Sequence, residues 1–341
     1  MNIEDELQAT IAAITQPGKG ILAADESLPT ITKRFNAVGI DATEENRRAY
    51  RSLLLTTPGA DEFLGGVILF EETLGQRADD GTPLPQVLAR RGIVPGIKVD
   101  KGTTALPGAP GDLITQGLDG LAERIRAYKA QGARFAKWRE VYGITDGNPT
   151  PLGIAANAEV LARYAAICQS EGIVPIVEPE VLIDGDHTME RCHGVSEAVL
   201  HAVFDALHRH RVLLEGMILK PSMVLPGKGR PPKASPEQVA AATVKVLRRM
   251  VPAALPTINF LSGGQGPEEA TANLNAMNVM FPGAPWKLSF SYARALQDPV
   301  MRTWAGRAEN VPAAQQAFHQ RARMNGLASQ GKWRPEMERA A

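Results

Sequence analysis

Lys220 stands at the end of the apolar run Met217-Ile218-Leu219, immediately before Pro221. An ammonium placed where a buried strand stops is partly desolvated, and desolvation favours the neutral amine. A free lysine with a pKa near ~10.4 is only about one part in 2,500 neutral at pH 7, so each unit of depression supplies roughly tenfold more nucleophile. A lysine so placed can attack a carbonyl and form a Schiff base. It can equally snorkel from the strand end into water. Its neighbours along the chain decide between the two.

Other ionisable residues fall at comparable places. Asp25 follows the run Gly20–Ala24, Lys98 and Asp100 end Gly96–Val99, and Lys137 and Arg139 end Arg134–Trp138. Glu178 and Glu180 follow Val174–Val177, and Ser291 and Arg294 follow Lys287–Phe290. The pairs Lys98/Asp100, Lys137/Arg139 and Glu178/Glu180 are two residues apart, so in extended backbone both members face one side. Enclosed charges must neutralise one another or bind something. Lys98, Lys137, Lys220, Arg139 and Arg294 against Asp25, Asp100, Glu178 and Glu180 suit an anionic, polyoxygenated substrate. The turn Leu261-Ser262-Gly263-Gly264-Gln265-Gly266 ahead of a helix reads as a phosphate cradle, since glycines let N–H groups turn toward an anion at a helix start. Arg294 would add a forked donor pair. Metal chemistry is not expected. His208 and His210 are two apart on a predicted helix and diverge, no zincin-type pair occurs, and Asp184-Gly185-Asp186-His187 reads as a turn.

These residues need a scaffold that gathers strand ends. The apolar runs Gly20–Ala24, Gly66–Phe70, Gly96–Val99, Arg134–Trp138, Val174–Val177, Gly216–Leu219, Thr257–Leu261 and Lys287–Phe290 are continuous rather than alternating, as in a parallel sheet covered on both faces. Helical patterns lie between them at Leu118–Tyr128, Ala158–Ser170, Ser196–His210, Pro236–Met250 and Glu268–Met280. Eight such strands predict an α/β protein, a single-domain (β/α)8 TIM barrel, with chemistry at the carboxyl ends of the strands. The expected domain is 1–341, with the barrel core over about 20–310 and a C-terminal helix or tail over 311–341. Ile3, Leu7, Ile11 and Ile14 predict an amphipathic N-terminal helix, and Thr73–Val94 is expected as a loop. A doubly wound sheet would want a Gly-rich turn after the first strand, and Leu22-Ala23-Ala24-Asp25-Glu26-Ser27 is not one.

The 341 residues carry 44% apolar and 22% charged side chains and no formal net charge. Bulk electrostatics therefore point to no nucleic-acid or membrane partner. No apolar run approaches the ~20 residues of a membrane span. Cys168 and Cys192 read as reduced thiols, and the acidic start Glu4-Asp5-Glu6 is unlike a secretory signal. A soluble, cytoplasmic protein is expected.

The motifs Leu22-Ala23-Ala24-Asp25-Glu26-Ser27, Gly96-Ile97-Lys98-Val99-Asp100-Lys101-Gly102, Phe135-Ala136-Lys137-Trp138-Arg139 and Val177-Glu178-Pro179-Glu180 resemble class I fructose-bisphosphate aldolase. So do Leu219-Lys220-Pro221, Leu261-Ser262-Gly263-Gly264-Gln265 and Ser291-Tyr292-Ala293-Arg294-Ala295-Leu296. The resemblance spans Gly20 to about Lys332. It implies metal-free, cofactor-free cleavage of fructose 1,6-bisphosphate to dihydroxyacetone phosphate and glyceraldehyde 3-phosphate, commonly by a homotetramer. Lys220 would form the Schiff base, and Glu178 would shuttle protons. Asp25 would take the C4 hydroxyl proton, Lys137 would help keep Lys220 neutral, and Glu180 would orient the cluster. Ser262, Gly263, Gly264, Ser291 and Arg294 would meet the C1-phosphate. Lys98, Arg139, Ser27 and Arg34 would meet the C6-phosphate.

The sequence departs from the family pattern in two places. Animal-type members end in a tail whose terminal tyrosine assists enamine protonation, whereas no tyrosine follows Tyr292 here; slower enamine turnover is expected. Leu28-Pro29-Thr30 stands where the family often has a small glycine-containing turn, which bears on preference for bisphosphate over monophosphate substrates. Rival readings are a Schiff-base lyase for another phosphorylated ketose, a metal-dependent aldolase, and a catalytically dead barrel kept as a scaffold. The last should have lost Lys220, Glu178 or Asp25, and has lost none.

Overall fold

Eight parallel strands close on one another in the computed structural model, which describes residues 2–339. Ala340 and Ala341, the end of the tail expected over 311–341, lie outside the described residues. The chain opens with α1 (Ile3–Ile14), β1 (Gly20–Ala24), α2 (Leu28–Asn36), α3 (Glu44–Thr56) and β2 (Leu64–Leu69). It continues through α4 (Glu71–Gly75), α5 (Leu84–Arg90), β3 (Val94–Lys98), β4 (Thr103–Ala105), β5 (Leu113–Thr115) and α6 (Leu121–Ala130). Next come β6 (Phe135–Tyr142), α7 (Pro151–Ser170), β7 (Val174–Val181), α8 (Met189–Arg209), β8 (Ile218–Leu219) and α9 (Pro236–Met250). Last are β9 (Thr257–Phe260), α10 (Pro267–Met280), β10 (Lys287–Tyr292), α11 (Arg294–Trp304) and α12 (Val311–Ala328). The closed order is β1-β10-β9-β8-β7-β6-β3-β2, and β4 pairs with β5 as a separate antiparallel hairpin.

Continuous apolar strands need cover on both faces, and every residue of β1, β2 and β7 is buried. The outer faces pack under the helices; Trp138 of β6, for example, meets Tyr164 of α7 with ring centroids 5.4 Å apart. The lumen holds Ile21, Ala23, Ile68, Phe135, Val174, Ile176 and Ile218, and Leu7, Ile11 and Ile14 of α1 join that cluster. The N-terminal helix is therefore a plug in the amino end of the barrel. Phe135 fills space that two glycines leave open. A Cβ on Gly96 would stand 2.2 Å from its ring, and one on Gly66 would stand 3.0 Å away.

The elements differ from the expected ones mainly at their ends. α7 and α8 start at Pro151 and Met189 instead of Ala158 and Ser196, because Thr150 and Thr188 cap them through Gly153 N–H and Arg191 N–H. α6 begins at Leu121 rather than Leu118, and the expected loop Thr73–Val94 contains α5 and the end of α4. β6 and β7 run four residues past Trp138 and Val177, so Arg139, Glu178 and Glu180 lie inside strands and not after them. Charge at those positions masks the strand, but lumen-facing partners neutralise it.

The longer β6 also carries Glu140, which the sequence reading passed over. It faces away from Lys137 and Arg139 and is fully buried. Its carboxylate accepts from Trp138 Nε1 at 2.8 Å and from the Thr115 N–H of β5 at 3.2 Å, and the Thr115 hydroxyl donates to Arg139 O at 2.8 Å. Burial pushes the Glu140 carboxyl up to about 7 against these hydrogen bonds.

The fold gives two expected outcomes. Gly96→Ala forces a methyl into the Phe135 ring and should destabilise the barrel by about 1–3 kcal/mol, with partial recovery in Gly96→Ala/Phe135→Leu. Urea unfolding of the three proteins checks this; an unchanged midpoint in the single variant would contradict the packing. For Glu140, the folded-state pKa lies above the ordinary value of 4.5, so its stabilising contribution is present below that value and lost as pH rises through about 7. The stability difference between the wild type and Glu140→Gln should thus move by roughly 2 kcal/mol between pH 5 and 8, the wild type faring worse at pH 8. A difference constant with pH would mean that the carboxyl titrates alike in both states.

Candidate active site

Alternation along each strand turns one inward face into two zones. On β1 the inward residues are Ile21 and Ala23, and the next is Asp25. On β6 Phe135 is followed by Lys137 and Arg139, on β7 Val174 and Ile176 by Glu178 and Glu180, and on β8 Ile218 by Lys220. Hydrocarbon fills the amino end, and charge fills the carboxyl end.

At the centre, Lys137 Nζ lies 2.7 Å from Asp25 Oδ2, 3.3 Å from Glu178 Oε2 and 4.0 Å from Asp100 Oδ2. The other Glu178 oxygen lies 3.2 Å from Lys220 Nζ. One carboxylate therefore spans two lysines. Asp25, Lys137, Glu178 and Lys220 are all buried. Burial by itself would raise the Asp25 carboxyl, but the charges of Lys137, Lys220 and Lys98 outweigh it and hold it well below the usual carboxylate range. Burial opposes the Lys137 cation, and Asp25, Glu178 and Asp100 overcome that and hold it well above an ordinary lysine. Glu178 Oε2 accepts no hydrogen bond among the described residues.

Around this cluster lies a cavity of about 630 Å³. Every residue expected in the site lines it except Gly264: Asp25, Ser27, Arg34, Lys98, Lys137, Arg139, Glu178, Glu180, Lys220, Ser262, Gly263, Ser291 and Arg294. Gly264 faces a neighbouring cleft instead. Its φ of +92°, like the +56° of Gly263, lies in the left-handed region that glycine tolerates. Gln265 braces this turn, donating to Ser262 O at 3.0 Å and accepting from Asn273 at 2.7 Å. Ser291 Oγ, by contrast, is buried with no partner among the described residues.

On the other wall of the cavity, where Lys33 is exposed, the expected cations are paired. Lys98 Nζ meets Asp100 Oδ1 at 2.5 Å, and Arg139 pairs with Glu180. Glu180 thus orients Arg139 and makes no ion pair with either central lysine. Ser27 Oγ lies 3.1 Å from Thr30 Oγ1, the departure Leu28-Pro29-Thr30 having become the first turn of α2. Arg34 pairs with Glu26, which also takes Arg51 at 2.6 Å and Gln297 Nε2 at 2.9 Å. Burial would raise the Glu26 carboxyl, but Arg51 and Arg34 prevail and lower it. Glu26 was missed in the sequence because Arg51 and Gln297 are distant along the chain. Its adjacency to Asp25 was the only signal. No group of three or more His, Cys, Asp or Glu side chains among the described residues could hold a metal ion.

A sequence profile described as fructose-bisphosphate aldolase class-I matches residues 6–341. The non-muscle type fructose-bisphosphate aldolase of Lethenteron camtschaticum is 55% identical over 97% of this chain and 91% of its own length. The cytosolic fructose-bisphosphate aldolase 6 of Arabidopsis thaliana is 55% identical over 97% of this chain and 92% of its own. A crystal structure of fructose-bisphosphate aldolase from Plasmodium falciparum, in complex with TRAP and a small-molecule inhibitor, superposes with a TM-score of 0.95 at 51% identity over 97% of this chain and 96% of that one. With motif, barrel and near-complete alignment in agreement, the chain belongs to the class I fructose-bisphosphate aldolase family.

Proposed function

We propose that Lys220 is the nucleophile through which this chain performs its family's reaction, the reversible cleavage of fructose 1,6-bisphosphate to dihydroxyacetone phosphate and glyceraldehyde 3-phosphate. That reaction runs through a lysine Schiff base without metal in class I enzymes. The observation that carries the assignment is the Glu178 carboxylate between the Lys137 and Lys220 side-chain nitrogens. Lys137, held by three carboxylates, is the fixed cation of the pair. Lys220, which has Glu178 alone as an ion-pair partner among the described residues, is left to act as the amine.

The amine attacks the C2 carbonyl, and the carbinolamine loses its hydroxyl as water. Glu178 Oε1 lies 3.2 Å from that nitrogen, within reach to take and return a proton. The resulting protonated imine draws the electrons of the C3–C4 bond as it breaks. Asp25, held ionised by Lys137, takes the C4 hydroxyl proton, and the aldehyde leaves. The enamine is then protonated at C3 and hydrolysed, which releases dihydroxyacetone phosphate and restores Lys220. Ser262, Gly263, Ser291 and Arg294 take the phosphate nearer the imine; Lys98, Arg139, Ser27 and Arg34 take the other.

The reading extends to the whole chain, 1–341, working as one barrel domain, to a homotetramer in keeping with the family resemblance, and to the cytoplasm. The relatives from Arabidopsis thaliana and Spinacia oleracea are named cytosolic and cytoplasmic, and no described helix is long and apolar enough to cross a membrane.

Incubation with dihydroxyacetone phosphate and borohydride should leave a reduced adduct on Lys220 and none in Lys220→Met. Asp25→Asn should still trap the adduct while losing cleavage by ~10²–10⁴-fold, and EDTA should change nothing. Cleavage abolished by EDTA, or an adduct on another lysine, would sink the assignment. Lys137→Met removes the largest charge that opposes burial at Asp25. The Asp25 pKa then rises, so the acid limb of the kcat/KM profile should move to higher pH. An unmoved limb would mean that Asp25 is not the group it reports.

A further inference from the structure

We propose that Lys228 is a second phosphate-recognising cation of this site, acting with Arg294 at the Gly263-Gly264 turn and favouring ketoses phosphorylated next to the carbonyl. This rests on the Schiff-base reading of Lys220.

Lys228 sits in Gly227-Lys228-Gly229, which lies against the turn 183–187. Gly227 N–H donates to His187 O at 2.9 Å, Lys228 N–H to Ile183 O at 2.8 Å, and Gly229 N–H to Gly185 O at 2.8 Å. A Cβ on Gly227 would stand 2.5 Å from Gly185 O, and one on Gly229 would stand 3.2 Å from it. The two glycines thus permit a backbone approach that other residues would block, and the lysine between them is fixed at its root.

Its side chain runs to the phosphate turn. A Cβ built on Gly264 would meet Lys228 Nζ at 2.7 Å and Arg294 Nη2 at 3.3 Å, so two cationic heads face one small volume. Arg294 has no ion pair among the described residues, and Lys228 has only the exposed Asp184 at 3.4 Å. Like charges converge at a cost unless an anion lies between them. A planar fork beside a compact ammonium matches the several oxygens of a phosphate monoester. The buried, unpartnered Ser291 hydroxyl lines the adjoining cavity with Arg294. Lys228 also borders a cleft of about 280 Å³ lined by Arg230 and by Lys233, the latter paired with Glu269 at 3.2 Å.

Borohydride trapping compares dihydroxyacetone phosphate with unphosphorylated dihydroxyacetone. In Lys228→Met the half-saturating concentration of the phosphate ester should rise about tenfold, a typical loss for one charge-assisted contact. That of dihydroxyacetone should not move. Lys228→Arg should recover most of the loss, and Asp184→Asn should tighten the ester by removing the competing carboxylate. Unchanged ester trapping in Lys228→Met overturns the proposal, as does equal weakening of both trioses, which marks a structural lesion. Trapping of neither triose by the wild type overturns the Schiff-base reading and this proposal with it.

Discussion

Glu178 stands between two buried lysine nitrogens, 3.3 Å from that of Lys137 and 3.2 Å from that of Lys220. Such a cluster is not there for stability, since replacing buried ion pairs with well-packed hydrocarbon is often neutral or favourable. It persists because its members satisfy each other, and removing one would leave an uncompensated charge in a dry place. That constraint explains why the charges sit on strands or directly after them. Loop positions would let the groups drift into water, whereas β6 and β7 carry Lys137 and Glu178, offset by one inward position because Glu178 pairs with Arg139, and Lys220 directly follows β8. The same constraint fixes Lys137 as a cation and Asp25 as an anion, so these two charges are set before any ligand arrives.

The floor of the site follows from the same strands. Two residues below each charged position the lumen is hydrocarbon: Ala23 below Asp25, Phe135 below Lys137, Ile176 below Glu178 and Ile218 below Lys220. Phe135 needs Gly66 and Gly96 to fit, and α1 seals the amino end with Leu7, Ile11 and Ile14. A packed floor keeps water from reaching the charge cluster from below, and this keeps its interactions stronger than they would be in solvent. Core packing and catalytic electrostatics are here two halves of one alternating pattern.

The pattern made much of the molecule legible from sequence. Continuous apolar runs ending in charge announced a parallel barrel, and period-two pairs such as Lys137/Arg139 and Glu178/Glu180 announced which side chains share a face. Local signals failed where partners were remote. Glu26 is explained by Arg51 and Gln297, and Glu140 by the hairpin residue Thr115. Neither pairing leaves a trace in spacing. Strand ends were set too early at Trp138 and Val177 because charge reads as loop until its counter-charge is in place. The helix starts at Pro151 and Met189 are set by the capping threonines Thr150 and Thr188, which hydrophobic periodicity alone does not mark.

The two ends of the cavity differ in how their donors are occupied, and the difference bears on the order of events. Lys98, Arg139 and Arg34 are already paired with Asp100, Glu180 and Glu26, and Ser27 is engaged with Thr30. An anion arriving there competes with carboxylates, and when it leaves the carboxylates take its place. Ser291 and Arg294 have no such internal partner among the described residues, so a phosphate at that end displaces little and forfeits much on departure. Binding is then asymmetric along the substrate. Under the proposed assignment, the half joined to Lys220 would be doubly anchored, by its covalent bond and by unsatisfied donors, while the half freed by bond cleavage would sit among donors that close on themselves. A cavity used in that way would release the aldehyde first and keep the enamine, which is the order a Schiff-base lyase requires.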